Sequence, residues 1–193
     1  GTLQDESGKF NLNSLVNADG TPNLPAKIWF EKLLLRVGLQ EKLSEAVIDW
    51  QDPDDQTIGG MGAEANYYQG LSPSYLPSNT QFHHVEELKL VRGFEGEKYL
   101  QIADYVTTVP NTDSKLNINT ASAVLLASLD PKVEVNAVQQ VIQQRQANLQ
   151  YFSNVSELWA IEPFAQVGNE VRTELNDLLG VQSNYFKARI EVI

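Results

Sequence analysis

The chain of 193 residues is 42% hydrophobic and 20% charged, which is typical of one large globular domain or of a small domain that carries an insertion. Its net charge of −11 argues against nucleic acid or an anionic membrane surface as the main partner, because such contacts rest on Lys and Arg. The absence of cysteine excludes disulfides, thiolate metal sites and a cysteine nucleophile.

The first third of the chain predicts one short strand followed by two helices. Alternation that starts at Phe10 favours the strand. Apolar spacing predicts helices over 26–37, closed by Gly38, and over about 40–50. Residues 51–81 are then rich in Gly, Pro, Ser and Asn, and a connection this long is usually functional or held by a ligand.

The rest of the chain predicts several shorter helices and a final strand. Thr120 is the expected N-cap of one of these helices, and Phe186, Ala188, Ile190 and Val192 share one face of the last strand. The predicted helices cover 85–91, about 97–107, 121–129, a segment from Val135, a segment from Ser153, and 169–179. If the strands at the two ends pair, the helices form an insertion into a small sheet domain, so the expected fold class is α+β.

The stretch from Ile48 to Tyr68 concentrates carboxylates between Lys42 and Lys89, with no Lys or Arg in between. Calcium takes six to eight oxygen ligands, often from a loop with alternating acids and a later Glu. Glycines at 59, 60 and 62 allow the chain to curl back toward its start. A solvated acidic loop, in which Asp side chains make turns or cap a helix, explains the same spacing. The candidate calcium ligands are Asp49, Asp52, Asp54, Asp55 and Glu64.

No enzyme motif is present, and we expect no catalytic activity. The adjacent His83 and His84 diverge if they start a helix, whereas a zinc site needs ligands that converge. The chain contains no G-x-S-x-G, no phosphate-binding glycine loop followed by Lys, and no H-E-x-x-H.

The segment 116–162, which opens with "LNINTAS", resembles helix-hairpin-helix proteins of the competence DNA-binding kind. In those proteins a glycine-bearing hairpin brings backbone N–H groups close to phosphate. The corresponding "DPKVEV" has no glycine, and its Asp130 and Glu134 repel phosphate, leaving Lys132 as the nearby cation. The resemblance therefore supports the local fold and argues against DNA binding.

Six sequence segments, taken in their order along the chain, resemble the K-type minor pseudopilins (GspK family) of bacterial type II secretion systems. They are "DESGKFNLNSL", "AVIDWQDPDD", "GAEANYY", "LSPSYLPSNTQFHHVEELKLVRGF", "LNINTASAVLLASL" and "SNYFKARIEV". The resemblance spans almost the whole chain, and the tract from Trp50 through Gly93 is its most specific part.

The resemblance implies a pilin-like antiparallel sheet domain, here 1–15 and 181–193, with an inserted all-helical domain over 16–180. It also implies a hydrophobic N-terminal helix that anchors the protein in the inner membrane of a Gram-negative bacterium, with the soluble part in the periplasm. We expect this helix to have been trimmed from the chain, which opens on "GTLQDESGKF". The helical insert is shorter than in some members, and we expect the last strands of the sheet to be missing.

The resemblance further implies a structural role at the tip of the pseudopilus, in a complex with the I-type and J-type minor pseudopilins. Family members bind calcium in the helical head, and the five acids named above fall in the matching tract. Exported substrates are a further expected partner. Two alternatives remain open at this point: a nucleic-acid-binding module and a stand-alone exported calcium-binding domain.

Overall fold

The computed structural model describes residues 1–110 and 114–191 and is a mixture of helices and short strands, which confirms the α+β class. Two compact units are present. One unit consists of Gly1–Phe10 together with Thr112–Ile193, and the other consists of Asn11–Asn111. This division differs from the predicted sheet and helical domains, whose assignment to 1–15 with 181–193 and to 16–180 stays a prediction.

The elements are short and numerous. The strands are β1 (Thr2–Asp5), β2 (Phe10–Asn11), β3 (Val106–Thr107), β4 (Leu116–Asn117), β5 (Leu179–Gly180) and β6 (Phe186–Arg189). The α-helices are α1 (Leu24–Arg36), α2 (Leu43–Asp49), α3 (Ala65–Gln69), α4 (Glu97–Ile102), α5 (Ala123–Ala127), α6 (Val135–Ala147), α7 (Ser156–Trp159) and α8 (Asn169–Asn176). The 3-10 helices are Leu12–Leu15, Val85–Leu90, Ala103–Tyr105 and Phe164–Gln166. No helix of the described residues is long and apolar enough to cross a membrane.

The strands at the two ends pair. β1 and β6 form an antiparallel ribbon with Leu3 opposite Ala188 and Asp5 opposite Phe186, and β2–β3 and β4–β5 form two further two-stranded sheets. The predicted first strand is present but shorter than the alternation indicates, because a 3-10 helix begins at Leu12, directly after Phe10 and Asn11.

A 3-10 helix follows β2, capped by the Asn11 side chain, which accepts a hydrogen bond from the Asn13 backbone (3.2 Å). Leu12 and Leu15 are both buried by this three-residue spacing rather than by strand alternation.

The last strand ends earlier than predicted, at Arg189. Phe186, Ala188 and Ile190 are exposed, and Val192 lies outside the described residues.

Helix α1 agrees with the prediction to within two residues, while several other boundaries were wrong. The Asn23 side chain caps α1 by accepting from the Ala26 backbone (3.3 Å). Ser122, not Thr120, caps α5 through a bond from the Leu125 backbone (3.3 Å). The helix predicted over 97–107 ends at Ile102 and gives way to a 3-10 turn and to β3.

The "LNIN" motif holds its own unit together. The Asn119 side chain donates to the carbonyls of Phe152 and Val181 (both 3.1 Å) and accepts from the Phe152 backbone (2.7 Å). The Asn117 side chain donates to Ser183 (2.7 Å), which in turn donates to Asp5 (2.6 Å). These asparagines therefore have a structural role, since each joins segments that are distant in sequence.

Asn13 has the corresponding role in the other unit. Its buried amide donates to the carbonyls of Phe82 (3.0 Å) and Val109 (3.1 Å), and its oxygen accepts from the Phe82 backbone (2.8 Å). One side chain thus satisfies three backbone groups, and buried groups without such partners are costly.

Asn13→Ala is expected to lower the free energy of unfolding by roughly 2–4 kcal/mol, because it leaves buried backbone groups without partners. The measurement is urea denaturation of the variant beside Asn136→Ala, an exposed asparagine on α6. The control is expected to change stability by less than about 0.5 kcal/mol. Equal stability of the two variants would contradict the assigned role of Asn13.

Candidate metal centre

Three of the five predicted ligands converge in the structure. Asp49, Asp52 and Glu64 are buried, and each offers a carboxylate oxygen such that these oxygens lie within 4.8 Å of one another. We call these three side chains the carboxylate triad.

The end of one helix and the start of another position the triad. Asp49 is the last residue of α2, and the Asp52 backbone N–H still donates to the Ile48 carbonyl (3.0 Å), so the chain makes one further turn. Residues three apart on such a turn face the same side. Glu64 immediately precedes α3 in an extended conformation, and its side chain does not cap that helix. Its carboxylate is therefore free to face the two aspartates.

The glycines of the loop allow the chain to return to α2. A Cβ atom on Gly62 would come within 2.3 Å of Asp49 Oδ2, so no larger residue fits at this contact. Gly59 has a φ of +60°, and a Cβ there would come within 2.3 Å of Glu45 Oε1. The Ile58 backbone N–H donates to Asp49 Oδ1 (3.1 Å). The loop therefore folds back on α2 as expected from its glycines, and this brings Glu64 to the end of that helix.

Asp54 and Asp55 lie apart from the triad. Both are exposed, and neither belongs to the converging group of the described residues. Asp54 Oδ1 accepts from the Gln56 backbone (2.7 Å), which is the turn-forming role that a solvated acidic loop predicts.

Burial raises the pKa of every triad carboxyl. The pKa of Asp52 rises to about 7 and that of Glu64 to about 8, first because of burial and then because of the neighbouring carboxylates. The pKa of Asp49 rises to about 6, again mainly through burial, although hydrogen bonds from the backbones of Ile58 and Ala63 oppose the rise. Near neutral pH the triad therefore favours either protons or a bound cation.

Aromatic rings pack around the residues next to the triad. Trp50 follows Asp49 and contacts Tyr68 edge to face, with ring centres 5.2 Å apart, and it stacks near Phe82 at 6.5 Å. Tyr68 lies one turn after Glu64 and is fully buried. The triad is thus anchored in the core on both sides.

The two histidines contribute nothing to this centre. His83 and His84 are exposed, and their backbone N–H groups both donate to Glu87 Oε1 (2.7 and 2.8 Å) at the start of a 3-10 helix. This is the helix-start role expected for them.

Sequence reasoning missed two residues that hold the loop. Glu45 Oε2 accepts from the Met61 backbone (2.8 Å), and Arg92 Nη1 donates to the Gly62 carbonyl (2.9 Å). Glu45 lies four residues before Asp49 on α2, a spacing that could have identified it. Arg92 is distant in sequence, and no local spacing points to it.

The residues present fit a hard divalent cation. Among the residues that the structure describes, Asp52 Oδ1 and both carboxylate oxygens of Glu64 are buried without a hydrogen-bond partner. Within residues 1–110 and 114–191, no ion pair involves a triad member. Buried charges without a cation are costly, and an all-oxygen set of carboxylates is the donor chemistry of Ca²⁺ and Mg²⁺.

Two family models match the chain, both described as "Type II secretion system (T2SS), protein K", over residues 8–111 and 116–182. Among curated relatives, the type II secretion system protein K of Aeromonas hydrophila is 30% identical and covers 98% of this chain and 61% of its own length. That of Pseudomonas aeruginosa is 36% identical over 70% of this chain and 42% of its own length. The chain therefore spans about half of the length of these relatives.

A solved structure shares the fold. It is the GspK-GspI-GspJ complex from the type 2 secretion system of enterotoxigenic Escherichia coli. The matching chain has a TM-score of 0.80 and 26% sequence identity, over 96% of this chain and 66% of that chain.

With a chelator present, stability is expected to fall by more than about 1 kcal/mol as the pH rises from 5 to 8. The triad pKa values lie above the unfolded values of 3.8 for Asp and 4.5 for Glu. The stabilising contribution of the bound protons is therefore full below about pH 4 and is lost as the pH rises through 6 to 8.

Urea denaturation in EGTA at both pH values tests this expectation. The control is the double variant Asp52→Asn/Glu64→Gln, whose amides cannot ionise and which should lose less stability. An equal loss in the wild type and the control would show that the triad does not hold these protons.

Proposed function

This chain belongs to the protein K family of type II secretion systems, and from that premise we propose that it is a minor pseudopilin. In this role it assembles with the I-type and J-type minor pseudopilins at the tip of the pseudopilus, where it helps to initiate and cap the fibre. The observation that carries the proposal is the fold match over 96% of this chain to a chain of a GspK-GspI-GspJ complex.

We propose that the β1–β6 ribbon belongs to a pilin-like sheet domain and that the helical region is an insertion into it. Leu3 and Phe186 are 70% and 54% exposed on the ribbon, which suits a strand pair that continues into a larger apolar layer. An N-terminal helix anchors the whole protein in the inner membrane, and the part described here lies in the periplasm.

The proposed role is structural rather than catalytic. The converging group of the triad consists of carboxylates alone, and the helical region suits a head that caps a fibre. Exported substrates can meet this head in the periplasm. Nucleic acid is not proposed as a partner, because Asp130 and Glu134 lie in the turn between α5 and α6 where phosphate would approach.

We propose that the triad binds calcium. Asp49, Asp52 and Glu64 hold the ion, and its positive charge offsets the negative charge of their buried carboxylates. Because Asp49 ends α2, Asp52 follows it and Glu64 precedes α3, a bound ion joins both ends of the 53–63 loop. Asp54 and Asp55 remain ligand predictions from the sequence, and their exposure places them on the solvent side of the loop.

Calcium at about 10 mM is expected to raise the melting temperature by roughly 5–10 °C, and EGTA should reverse the rise. The reason is that an ion at about 100 times its Kd stabilises the folded state by roughly 2.7 kcal/mol. Asp52→Asn or Glu64→Gln should abolish the shift, whereas the matched controls Asp54→Asn and Asp55→Asn should retain most of it. A shift that depends on Asp54 or Asp55 but not on Asp52 would overturn the assignment of the triad.

The chain is expected to form a 1:1:1 complex with the soluble domains of the I-type and J-type minor pseudopilins of the same bacterium. Size-exclusion chromatography with light scattering on the three-component mixture measures this, and each pairwise mixture serves as a control. Elution of the three domains as separate species would contradict the proposed role. It would favour a stand-alone calcium-binding domain, provided that the calcium shift is present.

A further inference from the structure

Arg92 makes three contacts with the segment that carries Glu64. Its Nη1 atom donates to the Gly62 carbonyl (2.9 Å), and its guanidinium lies 4.9 Å from the centre of the Tyr67 ring. Its backbone N–H donates to the Tyr68 hydroxyl (3.3 Å). The contacts thus fall on both sides of Glu64, two residues before it and three to four residues after it.

This arrangement fixes the backbone from which the Glu64 carboxylate projects. Among the described residues, the Glu64 carboxylate has no hydrogen-bond partner, so its position depends on the backbone that carries it and on packing. On the opposite side, Gly62 packs against the Asp49 carboxylate, where a Cβ would lie 2.3 Å from Oδ2. Gly62 therefore contacts both Arg92 and Asp49, which ties the Glu64 segment to the end of α2, where Asp49 and Asp52 lie.

The charge of Arg92 does not neutralise the triad. In the described part of the chain, Arg92 forms no ion pair with Asp49, Asp52 or Glu64. The guanidinium instead donates a hydrogen bond to the Gly62 carbonyl, and it lies over the Tyr67 ring. Its contribution is consequently geometric.

We propose that Arg92 is a positioning residue of the calcium centre, an inference that rests on the proposed calcium site. It holds Gly62 and Tyr67 so that the Glu64 carboxylate meets those of Asp49 and Asp52 before an ion arrives. Without the Arg92 contacts, calcium binding must also order the Glu64 segment, which lowers the affinity for calcium. Partners of this kind, one step removed from the ion, typically change metal affinity by 10–100-fold.

Charge and positioning predict opposite effects when Arg92 is replaced. Removing a positive charge near an anionic site favours cation binding, so an electrostatic role predicts tighter calcium binding by Arg92→Met. A positioning role predicts weaker calcium binding, because the Gly62 carbonyl loses its hydrogen-bond donor and the Tyr67 ring loses its contact with the guanidinium. The sign of the change in Kd separates the two roles.

Isothermal titration of calcium into the wild type, Arg92→Met and Arg92→Lys tests the proposal. Arg92→Met is expected to bind about tenfold more weakly, and Arg92→Lys should recover part of the loss because Lys retains a donor and a charge. The matched control is Lys89→Met, since the Lys89 ammonium also lies over a ring, that of Tyr99 at 4.7 Å, and its loss removes the same charge. The control is expected to bind as tightly as the wild type or slightly more tightly.

Melting temperatures in EGTA separate positioning from general stability. A purely structural role would lower the melting temperature of Arg92→Met equally with EGTA and with calcium and would leave Kd unchanged. If Arg92→Met does not fold, Tyr67→Leu removes the ring on which the guanidinium lies and should weaken calcium binding in the same direction.

Two results would overturn the inference, and they are distinguishable. If the wild type binds calcium and Arg92→Met binds as tightly or more tightly, the assignment of Arg92 is wrong while the calcium site stands. If the wild type itself binds no calcium, the calcium site is wrong and the inference falls with it.

Discussion

Three buried carboxylates whose oxygens lie within 4.8 Å of one another set the main constraint on the unit Asn11–Asn111. Burial and mutual repulsion raise their pKa values, and like charges cannot stay buried together without protons or a cation. No cationic side chain of the described residues forms an ion pair with the triad. Glu45 and Arg92 bind the loop backbone at Met61 and Gly62, and Trp50 packs against Tyr68, so the structure holds the carboxylates together rather than neutralising them.

This constraint gives the long loop a physical purpose. Residues 53–63 contain no helix or strand, yet the loop is tied to α2 through Asp49 and Glu45. Calcium bound by Asp49, Asp52 and Glu64 would join the two ends of this loop and order it further. In a subunit that caps a fibre, a rigid head offers its partners a surface that is already ordered, so assembly avoids the entropic cost of ordering it. The proposed calcium site is therefore consistent with the proposed tip role.

The sequence allowed part of this structure to be predicted. Helix α1 follows from its apolar periodicity, whereas β1 was missed because "TLQD" is mostly polar and its pairing with β6 is long-range. The acidic cluster was recognised from composition, but spacing could not distinguish the buried Asp52 from the exposed Asp54 two residues later. Tertiary packing makes that distinction. Arg92 escaped prediction for the same reason, since its contact with Gly62 spans 30 residues.

We propose that the triad, rather than the exposed end of the acidic loop, holds a calcium ion. Anomalous diffraction from crystals grown with calcium tests it most directly, because the method locates the ion without assuming its ligands. We expect an anomalous peak with oxygens of Asp49, Asp52 and Glu64 at about 2.3–2.6 Å. A peak held by Asp54 and Asp55 alone, or no peak in the loop in calcium-grown crystals, would contradict the claim.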